Sequence, residues 1–177
     1  MIAQSEHDEL ATAVMITDSE ELADNVVKEI AVQLEQLPRK EIIGKAINNN
    51  GIIAVVDDIS EAIQLANMFA PEHLLLMVND AKKYLDGVVN AGCIFVGENS
   101  PVAIGDYVAG PSHVLPTGGT AVFTSPLGIE SFLKTTNFVA LTKSQQNELG
   151  PVVIDLAMAE GLDAHASAVK IRMPEKK

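Results

Sequence analysis

The sequence predicts an α/β protein in which helices flank a sheet of parallel or mixed strands. Short apolar runs of strand length alternate with stretches whose apolar residues recur at helical spacing. Hydrophobic residues make up 47% of the 177-residue chain, whereas aromatic residues make up only 4% and Trp is absent. The core must therefore consist mainly of aliphatic side chains, which is typical of buried sheets covered by helices.

Residues 11–96 contain the alternation of strand and helix. Asp18-Ser19-Glu20-Glu21 resembles a capping box and predicts the start of a helix that Pro38 ends. Ser60 is predicted to cap a later helix, which Pro71 ends. We expect strands at residues 11–17, 52–56, 73–78 and 93–96, helices at 20–37, 60–69 and 81–89, and a turn at 48–51.

The pattern changes at residue 99, because Gly, Pro, Ser and Thr become frequent through residue 126. A long irregular stretch inside a compact protein is more often functional than not. Beyond it we expect a short helix at 128–134, a strand at 138–141 and a helical tail, interrupted at Gly150-Pro151 and at Gly161. The predicted division is a domain of residues 1–126 and a small, mainly helical extension of residues 127–177.

Composition excludes several classes of partner. The formal net charge of −12 disfavours nucleic acid and anionic membrane surfaces, because both would repel the chain. No apolar stretch approaches the ~20 residues of a membrane-spanning helix, and no secretory signal pattern is present. Cys93 is the only cysteine and cannot form an internal disulfide, so we expect a reducing, cytoplasmic location.

The histidines are the candidate chemical groups, since each has a carboxylate nearby in the sequence. A neutral imidazole is a common metal ligand, and its usual pKa near ~6.5 suits proton transfer at neutral pH. Each histidine also has an ordinary interpretation, as a solvated end residue, a half-buried strand residue, a loop residue or a helix-surface residue. Spacing alone does not choose between these interpretations. The four residues are His7, His73, His113 and His165.

Other reactive motifs are weaker. Cys93 precedes an apolar run and is interpreted as a small core residue rather than a catalytic thiol. Gly118-Gly119 lacks the spacing and the following helix of a phosphate loop, so a turn is preferred. The polar cluster Gln4–Asp8 lies where a chain end frays, and we expect that more chain precedes it, with a solvated tail as the alternative.

Five motifs together resemble the histidinol dehydrogenase family, whose members use NAD in the last steps of histidine biosynthesis. The order and approximate spacing of the motifs agree over essentially the whole chain, and the block around His113 is highly specific. The motifs are Ala3-Gln4-Ser5-Glu6-His7-Asp8, Ala70-Pro71-Glu72-His73-Leu74, Gly105-Asp106-Tyr107, Gly110-Pro111-Ser112-His113-Val114-Leu115-Pro116-Thr117 and Ala159-Glu160-Gly161-Leu162-Asp163-Ala164-His165.

The resemblance implies one bound zinc ion and a pair of proton-transfer residues. The catalytic pair would be Glu72 and His73. The implied zinc ligands are Gln4, His7, Asp106 and His165, and the implied substrate contacts are Gln4, His7, His73, Asp106, His113, Glu160 and His165. No cofactor-binding residue can be carried over, because none of the matched positions is one.

The implied reaction oxidises L-histidinol to L-histidine through an aldehyde, using two NAD molecules. His73 would take the alcohol proton, and Glu72 would then help to activate water. Zinc would mainly orient the substrate and polarise its groups. The family is homodimeric, and the segment carrying Glu160 and His165 would reach into the partner's site.

Family members are more than twice as long as this chain. The resemblance therefore implies an incomplete Rossmann-like domain, without the N-terminal half that contributes strands and the NAD site. The chain would be the C-terminal portion of the enzyme, inactive until that half is supplied. Ser112 and Val122 stand where Asn and Arg are usual, but the implied ligands are intact. Two alternatives stay open, namely a non-catalytic zinc- or imidazole-binding module and an inactive remnant.

Overall fold

Within residues 1–174, which the computed structural model describes, four short strands form two separate parallel pairs. β1 (Val14–Thr17) pairs with β2 (Ile52–Val55), starting from Val14 opposite Ile52. β3 (His73–Leu76) pairs with β4 (Cys93–Val96), starting from His73 opposite Cys93. Each strand lies within a predicted strand, and the helices between them confirm the predicted α/β class.

The described chain divides into two compact units, one of Met1–Phe132 and one that begins at Leu133. The predicted domain boundary at residue 126 lies a few residues earlier, and the roles assigned to the two domains stay predictions. The first unit contains α1 (Ile2–Ser5), α2 (Glu20–Leu34), α3 (Lys40–Asn50), α4 (Ile59–Phe69), α5 (Val102–Tyr107) and 3-10 helices at Ala81–Gly87, Thr120–Val122 and Ile129–Phe132. The second unit contains α6 (Lys143–Ala159) and α7 (Asp163–Lys170).

Local capping determines where α2 and α4 begin. The hydroxyl of Ser19 accepts a hydrogen bond of 3.2 Å from the backbone N–H of Leu22, as the predicted capping motif requires. The cap of α4 is Asp58, whose carboxylate accepts from the backbone N–H of Glu61 at 2.9 Å. The prediction of Ser60 as this cap was wrong, because the helix has already begun at Ile59.

α3 is a helix that the sequence pattern did not predict, and tertiary packing accounts for it. Residues 48–50, predicted as a turn, lie inside α3. Ile43 and Ala46 in this helix are fully buried. Their burial outweighs the weak helix propensity of the following asparagines.

The other predicted elements downstream of β3 differ in part from the structure. The helix predicted at 81–89 is a 3-10 helix, and the strand predicted at 138–141 is absent, with Phe138 and Val139 exposed. The interruption predicted at Gly150-Pro151 was also wrong, since α6 runs through Pro151. Close packing of Gly150 against Met173 supports the helix at this position. Gly161, with φ of 72°, separates α6 from α7 as predicted.

The best-formed part of the core lies between α4 and the β3–β4 pair. Ile63, Leu76 and Ala81 are buried together, and apolar residues of both strands pack around them. This cluster anchors the strand that begins with His73. No helix in residues 1–174 is long and apolar enough to cross a membrane.

Candidate active site

The catalytic pair expected from the sequence lies at the start of β3. α4 ends at Ala70, which is buried and has a left-handed conformation with φ of 50°. A left-handed residue commonly ends a helix, although this conformation is unfavourable for a residue other than glycine. Pro71 follows and prevents the helix from continuing, so Glu72 and His73 come directly after the turn.

A close backbone approach fixes the position of Glu72. The backbone N–H groups of Gly92 and Cys93 donate to the carbonyls of Pro71 and Glu72, each at 2.9 Å. A Cβ atom on Gly92 would lie only 2.5 Å from the Glu72 carbonyl oxygen. Glycine is therefore required where the two strand starts meet.

The imidazole of His73 is half-buried beside a carboxylate, and both of its ring nitrogens are buried. Its Nε2 atom lies 3.5 Å from Oδ1 of Asp106, which permits an ion pair when the ring is protonated. Neither ring nitrogen has a hydrogen-bond partner among the described residues. The Phe95 ring lies against the imidazole, with ring centroids 5.9 Å apart. Buried polar atoms are usually paired, so two unpaired nitrogens here indicate a functional group rather than a structural one.

Asp106 reaches His73 because α5 lies close to β4. The sequence pattern placed residues 99–126 in an irregular stretch and missed this six-residue helix. A Cβ atom on Gly105 would lie 2.5 Å from two ring atoms of Phe95. Only glycine lets the helix backbone approach the ring this closely, and the next residue is Asp106.

His73 borders two cavities of very different size. The smaller cavity has a volume of about 10 Å³, room for roughly one water, and is bordered by Asp106 and His113 as well. The larger is a cleft of about 2300 Å³ bordered by Gln4, Glu72 and His73. His73 is therefore the residue that both cavities share.

Cys93 lies next to this group but is poorly suited to act as a nucleophile. It is partly buried and borders the small cavity. Burial raises the pKa of its thiol, and the negative charge of Asp106 raises it further. The thiol form therefore dominates at neutral pH.

Three of the predicted zinc ligands, Gln4, His7 and Asp106, lie in the first unit. Gln4 borders the cleft and Asp106 borders the small cavity. His7 is exposed just after α1 and borders neither cavity. Within residues 1–174, no group of three or more His, Cys, Asp or Glu side chains forms a metal site. The donor types suit zinc, and the ligand set stays a prediction.

The remaining predicted residues belong to the second unit. Glu160 caps the C-terminus of α6, and His165 lies on α7; both are exposed within this unit. Their assignment to substrate and metal contacts also stays a prediction.

Sequence reasoning missed two residues that shape the site. Phe95 packs on His73, and Gly105 makes room for its ring. Gly105 stands next to the candidate Asp106 in a motif, which was a signal for it. No feature of the sequence pointed to Phe95, because its contact with His73 depends on the pairing of β3 with β4.

Comparison with known proteins gives matches over nearly the whole chain. The sequence model of the family described as histidinol dehydrogenase matches residues 1–173. Histidinol dehydrogenase of Dehalococcoides mccartyi (strain CBDB1) is 50% identical over 173 residues, which are 98% of this chain and 40% of that protein. Histidinol dehydrogenase of Bacillus cereus (strain ATCC 14579) is 48% identical over 177 residues, which are 100% of this chain and 41% of that protein.

A solved structure has the same fold. The crystal structure of histidinol dehydrogenase from Elizabethkingia anophelis superposes with a TM-score of 0.85 at 36% sequence identity, over 97% of this chain and 39% of that one. The chain thus spans about 40% of the length of the curated relatives it matches.

Proposed function

The chain belongs to the histidinol dehydrogenase family, and on that basis we propose that it is the C-terminal portion of a zinc- and NAD-dependent L-histidinol dehydrogenase. The enzyme would oxidise L-histidinol to L-histidine through histidinal, in the cytoplasm. Because the chain spans only about 40% of its relatives' length, we propose that it is inactive until the remaining part is supplied.

The observation that carries this proposal is the environment of His73. Its two ring nitrogens are buried without hydrogen-bond partners among the described residues, and its Nε2 atom lies 3.5 Å from Oδ1 of Asp106. Glu72, the preceding residue, borders the same large cleft as His73. An imidazole whose ring nitrogens lack hydrogen-bond partners is free to exchange a proton with a bound alcohol.

The carboxyl group of Glu72 and the imidazole of His73 have separate roles in the proposed reaction. His73 would accept the hydroxyl proton of histidinol as the alcohol is oxidised to the aldehyde. Glu72 would then accept a proton from the water molecule that attacks the aldehyde, and oxidation of the resulting hydrate would give the carboxylic acid, which ionises. NAD held by the rest of the enzyme would supply the two-electron oxidant for each of the two oxidations. Two bases in different environments suit two successive proton transfers.

The cofactors belong to the completed enzyme. Zinc bound there would orient the substrate and polarise its groups. We propose Gln4, His7, Asp106 and His165 as its ligands, with substrate contacts from these residues and from His73, His113 and Glu160. NAD would bind the part of the enzyme that this chain does not span, and a homodimer would share residues between its two sites.

A second candidate function is a zinc- or imidazole-binding module without catalysis. The short length relative to the family favours it, because a binding surface can persist when half of an active site is absent. Tight binding of histidinol without turnover in the reconstituted mixture would identify such a module. An inactive remnant would show neither.

Reconstitution tests the enzymatic proposal. We would mix the chain with the part of the D. mccartyi protein that it does not match, add zinc and L-histidinol, and follow NADH absorbance. Turnover is expected, and Glu72→Gln should reduce it by about 10²–10⁴-fold because a general base is lost. Zinc content should be unchanged in Glu72→Gln and lost in His7→Ala and Asp106→Ala.

The matched control is Glu41→Gln, at an exposed position of α3. It should leave both turnover and zinc content unchanged. A stable, zinc-loaded complex that produces no NADH would disprove the proposed activity. Equal loss of zinc in all three site variants would disprove the division of roles.

A further inference from the structure

One side chain of α4 connects this helix to the segment that leads into β4. The side-chain amide of Asn67 donates to the backbone carbonyl of Gly87 at 2.8 Å. Its Oδ1 atom accepts from the backbone N–H groups of Val89 and Asn90 at 2.9 and 3.1 Å. The side-chain amide of Asn90 in turn donates to the backbone carbonyl of Asn67 at 3.0 Å. Four hydrogen bonds therefore join two parts of the chain that are 20 to 23 residues apart.

The proline after α4 explains why the last of these bonds is needed. In an α-helix the carbonyl of Asn67 would accept from the backbone N–H of the residue four positions later. That residue is Pro71, which has no backbone N–H, so the carbonyl finds no donor at the next helical position. The side chain of Asn90 supplies the missing donor. The end of α4 that leads into Glu72 is thus completed by a distant part of the chain.

Residues 88–92 depend on Asn67 because they form neither helix nor strand. Backbone groups outside regular structure need partners from side chains or from water. Asn67 supplies partners for two N–H groups of this segment and for the carbonyl of Gly87, which precedes it. A single side chain therefore sets the path of residues 88–92 along α4.

The same segment ends in the backbone contacts that hold the proposed catalytic pair. The N–H of Gly92 donates to the carbonyl of Pro71 at 2.9 Å. The N–H of Cys93 donates to the carbonyl of Glu72, also at 2.9 Å. His73 follows and lies opposite Cys93 in the strand register. A shift of residues 88–92 would therefore move Glu72 and His73 relative to β4.

We propose that Asn67 is a positioning residue for Glu72 and His73. Its side chain holds residues 88–92 against α4, and these residues hold the start of β3 where proton transfer requires it. Asn67 borders neither of the two cavities at His73, so it acts through the backbone of the pair and not by touching a substrate. Its effect on turnover rests on the proposed function, whereas its effect on the position of the pair does not.

Amide exchange in the isolated chain, followed by NMR, tests the effect on position. Asn67→Ala should accelerate exchange about tenfold, because the bonds to residues 88–92 are lost and the backbone bonds beyond them open more often. The acceleration should include two amides that Asn67 does not contact. The amides to follow are those of Val89, Asn90, Gly92 and Cys93.

Two further variants separate the hydrogen bonds from other effects of the substitution. Asn67→Asp keeps an oxygen that accepts from Val89 and Asn90 and loses the donor to Gly87, so it should restore most of the protection. The matched control is Asn25→Ala, at an exposed position of α2. It gains the same helix propensity as Asn67→Ala and should leave all four amides unchanged.

Turnover in the reconstituted enzyme tests whether the position matters for the reaction. Asn67→Ala should lower kcat about tenfold, because displaced reacting groups lose productive geometry. KM should stay within about twofold, because most of the proposed substrate contacts lie elsewhere in the chain. Rates are expressed per folded complex, so a general loss of stability would not lower kcat. Asn67→Asp should recover most of the rate, and Asn25→Ala should match the wild-type chain.

Unchanged exchange at Gly92 and Cys93 in Asn67→Ala would overturn the inference, as would an unchanged kcat. If the wild-type mixture produces no NADH, the proposed function fails, and exchange at these two amides decides whether Asn67 holds the pair. If Asn67→Ala does not fold, Asn90→Ala takes its place, because it removes the bond to the Asn67 carbonyl and keeps the other three. It should produce smaller changes in the same direction, and their absence would overturn the inference equally.

Discussion

At the scale of single residues, the site depends on one glycine. His73 contacts the Phe95 ring and approaches Asp106, although these residues lie far apart in the sequence. Gly105 allows α5 to approach that ring, and it does so without the freedom of a positive φ, because it lies inside a helix. Its role is therefore steric, and a methyl group is the smallest change that tests it.

Gly105→Ala should destabilise the protein by about 1–3 kcal/mol, because the new Cβ would lie 2.5 Å from a ring that is only 7% exposed. The midpoint of urea unfolding should fall accordingly. In the reconstituted enzyme, turnover should also fall, since displacing α5 moves Asp106.

Gly44→Ala is the control for this prediction. Gly44 also lies in a helix, but its Cβ would be 3.7 Å from a methyl group of Leu34, an ordinary contact. This change should stabilise the protein by about 0.5–1 kcal/mol through helix propensity. Equal destabilisation by both changes would argue against a specific contact with Phe95.

At the scale of elements, the starts of helices are determined locally. α6 begins with a complete capping box, in which Thr142 accepts from the backbone N–H of Gln145 and the Gln145 side chain accepts from that of Thr142. The helix continues through Pro151, which cannot donate its backbone hydrogen bond. Because α6 lacks one backbone hydrogen bond at Pro151, its stability depends more strongly on its N-terminal cap.

Thr142→Ala should therefore destabilise α6 by about 1 kcal/mol. Exchange of the amides in the first turn of α6 should accelerate about fivefold, as measured by mass spectrometry. Thr135→Ala serves as the control, because Thr135 is exposed and precedes the helix. Unchanged exchange in Thr142→Ala would mean that contacts with α7, rather than the cap, hold the start of the helix.

At the scale of the whole molecule, the chain consists of two compact units. Residues 133–142, at the start of the second unit, form no helix or strand and are exposed. A backbone without regular hydrogen bonds is readily accepted by proteases. Residues 133–142 should therefore be the part of the described chain that proteases cut first.

Brief digestion with trypsin should cut first after Lys134, which lies in this segment. Mass spectrometry should detect fragments ending and beginning at this position, and Lys134→Gln should slow the first cut. Lys143 provides an internal comparison, because it lies in the first turn of α6 and should be cut later. A first cut at Lys28 within α2 or at Lys45 within α3 would contradict the division into units.

Local patterns in the sequence were sufficient to predict the class of fold and most of its helices and strands. The four strands follow from short apolar runs, and the cap of α2 follows from Ser19, because both depend on neighbouring residues. The family was also recognisable from motifs, which the match over residues 1–173 confirms. The catalytic, metal and substrate roles of the individual residues stay predictions.

Only the tertiary structure decided how these parts meet. α3 forms because Ile43 and Ala46 are buried, and Asp106 lies near His73 because Gly105 accommodates a ring from another strand. The separation of the β1–β2 pair from the β3–β4 pair likewise appears only when strand pairing is known. The physical reason is the same in each case: burial and backbone pairing join residues that are distant in the sequence, and no local pattern specifies which of them will be neighbours.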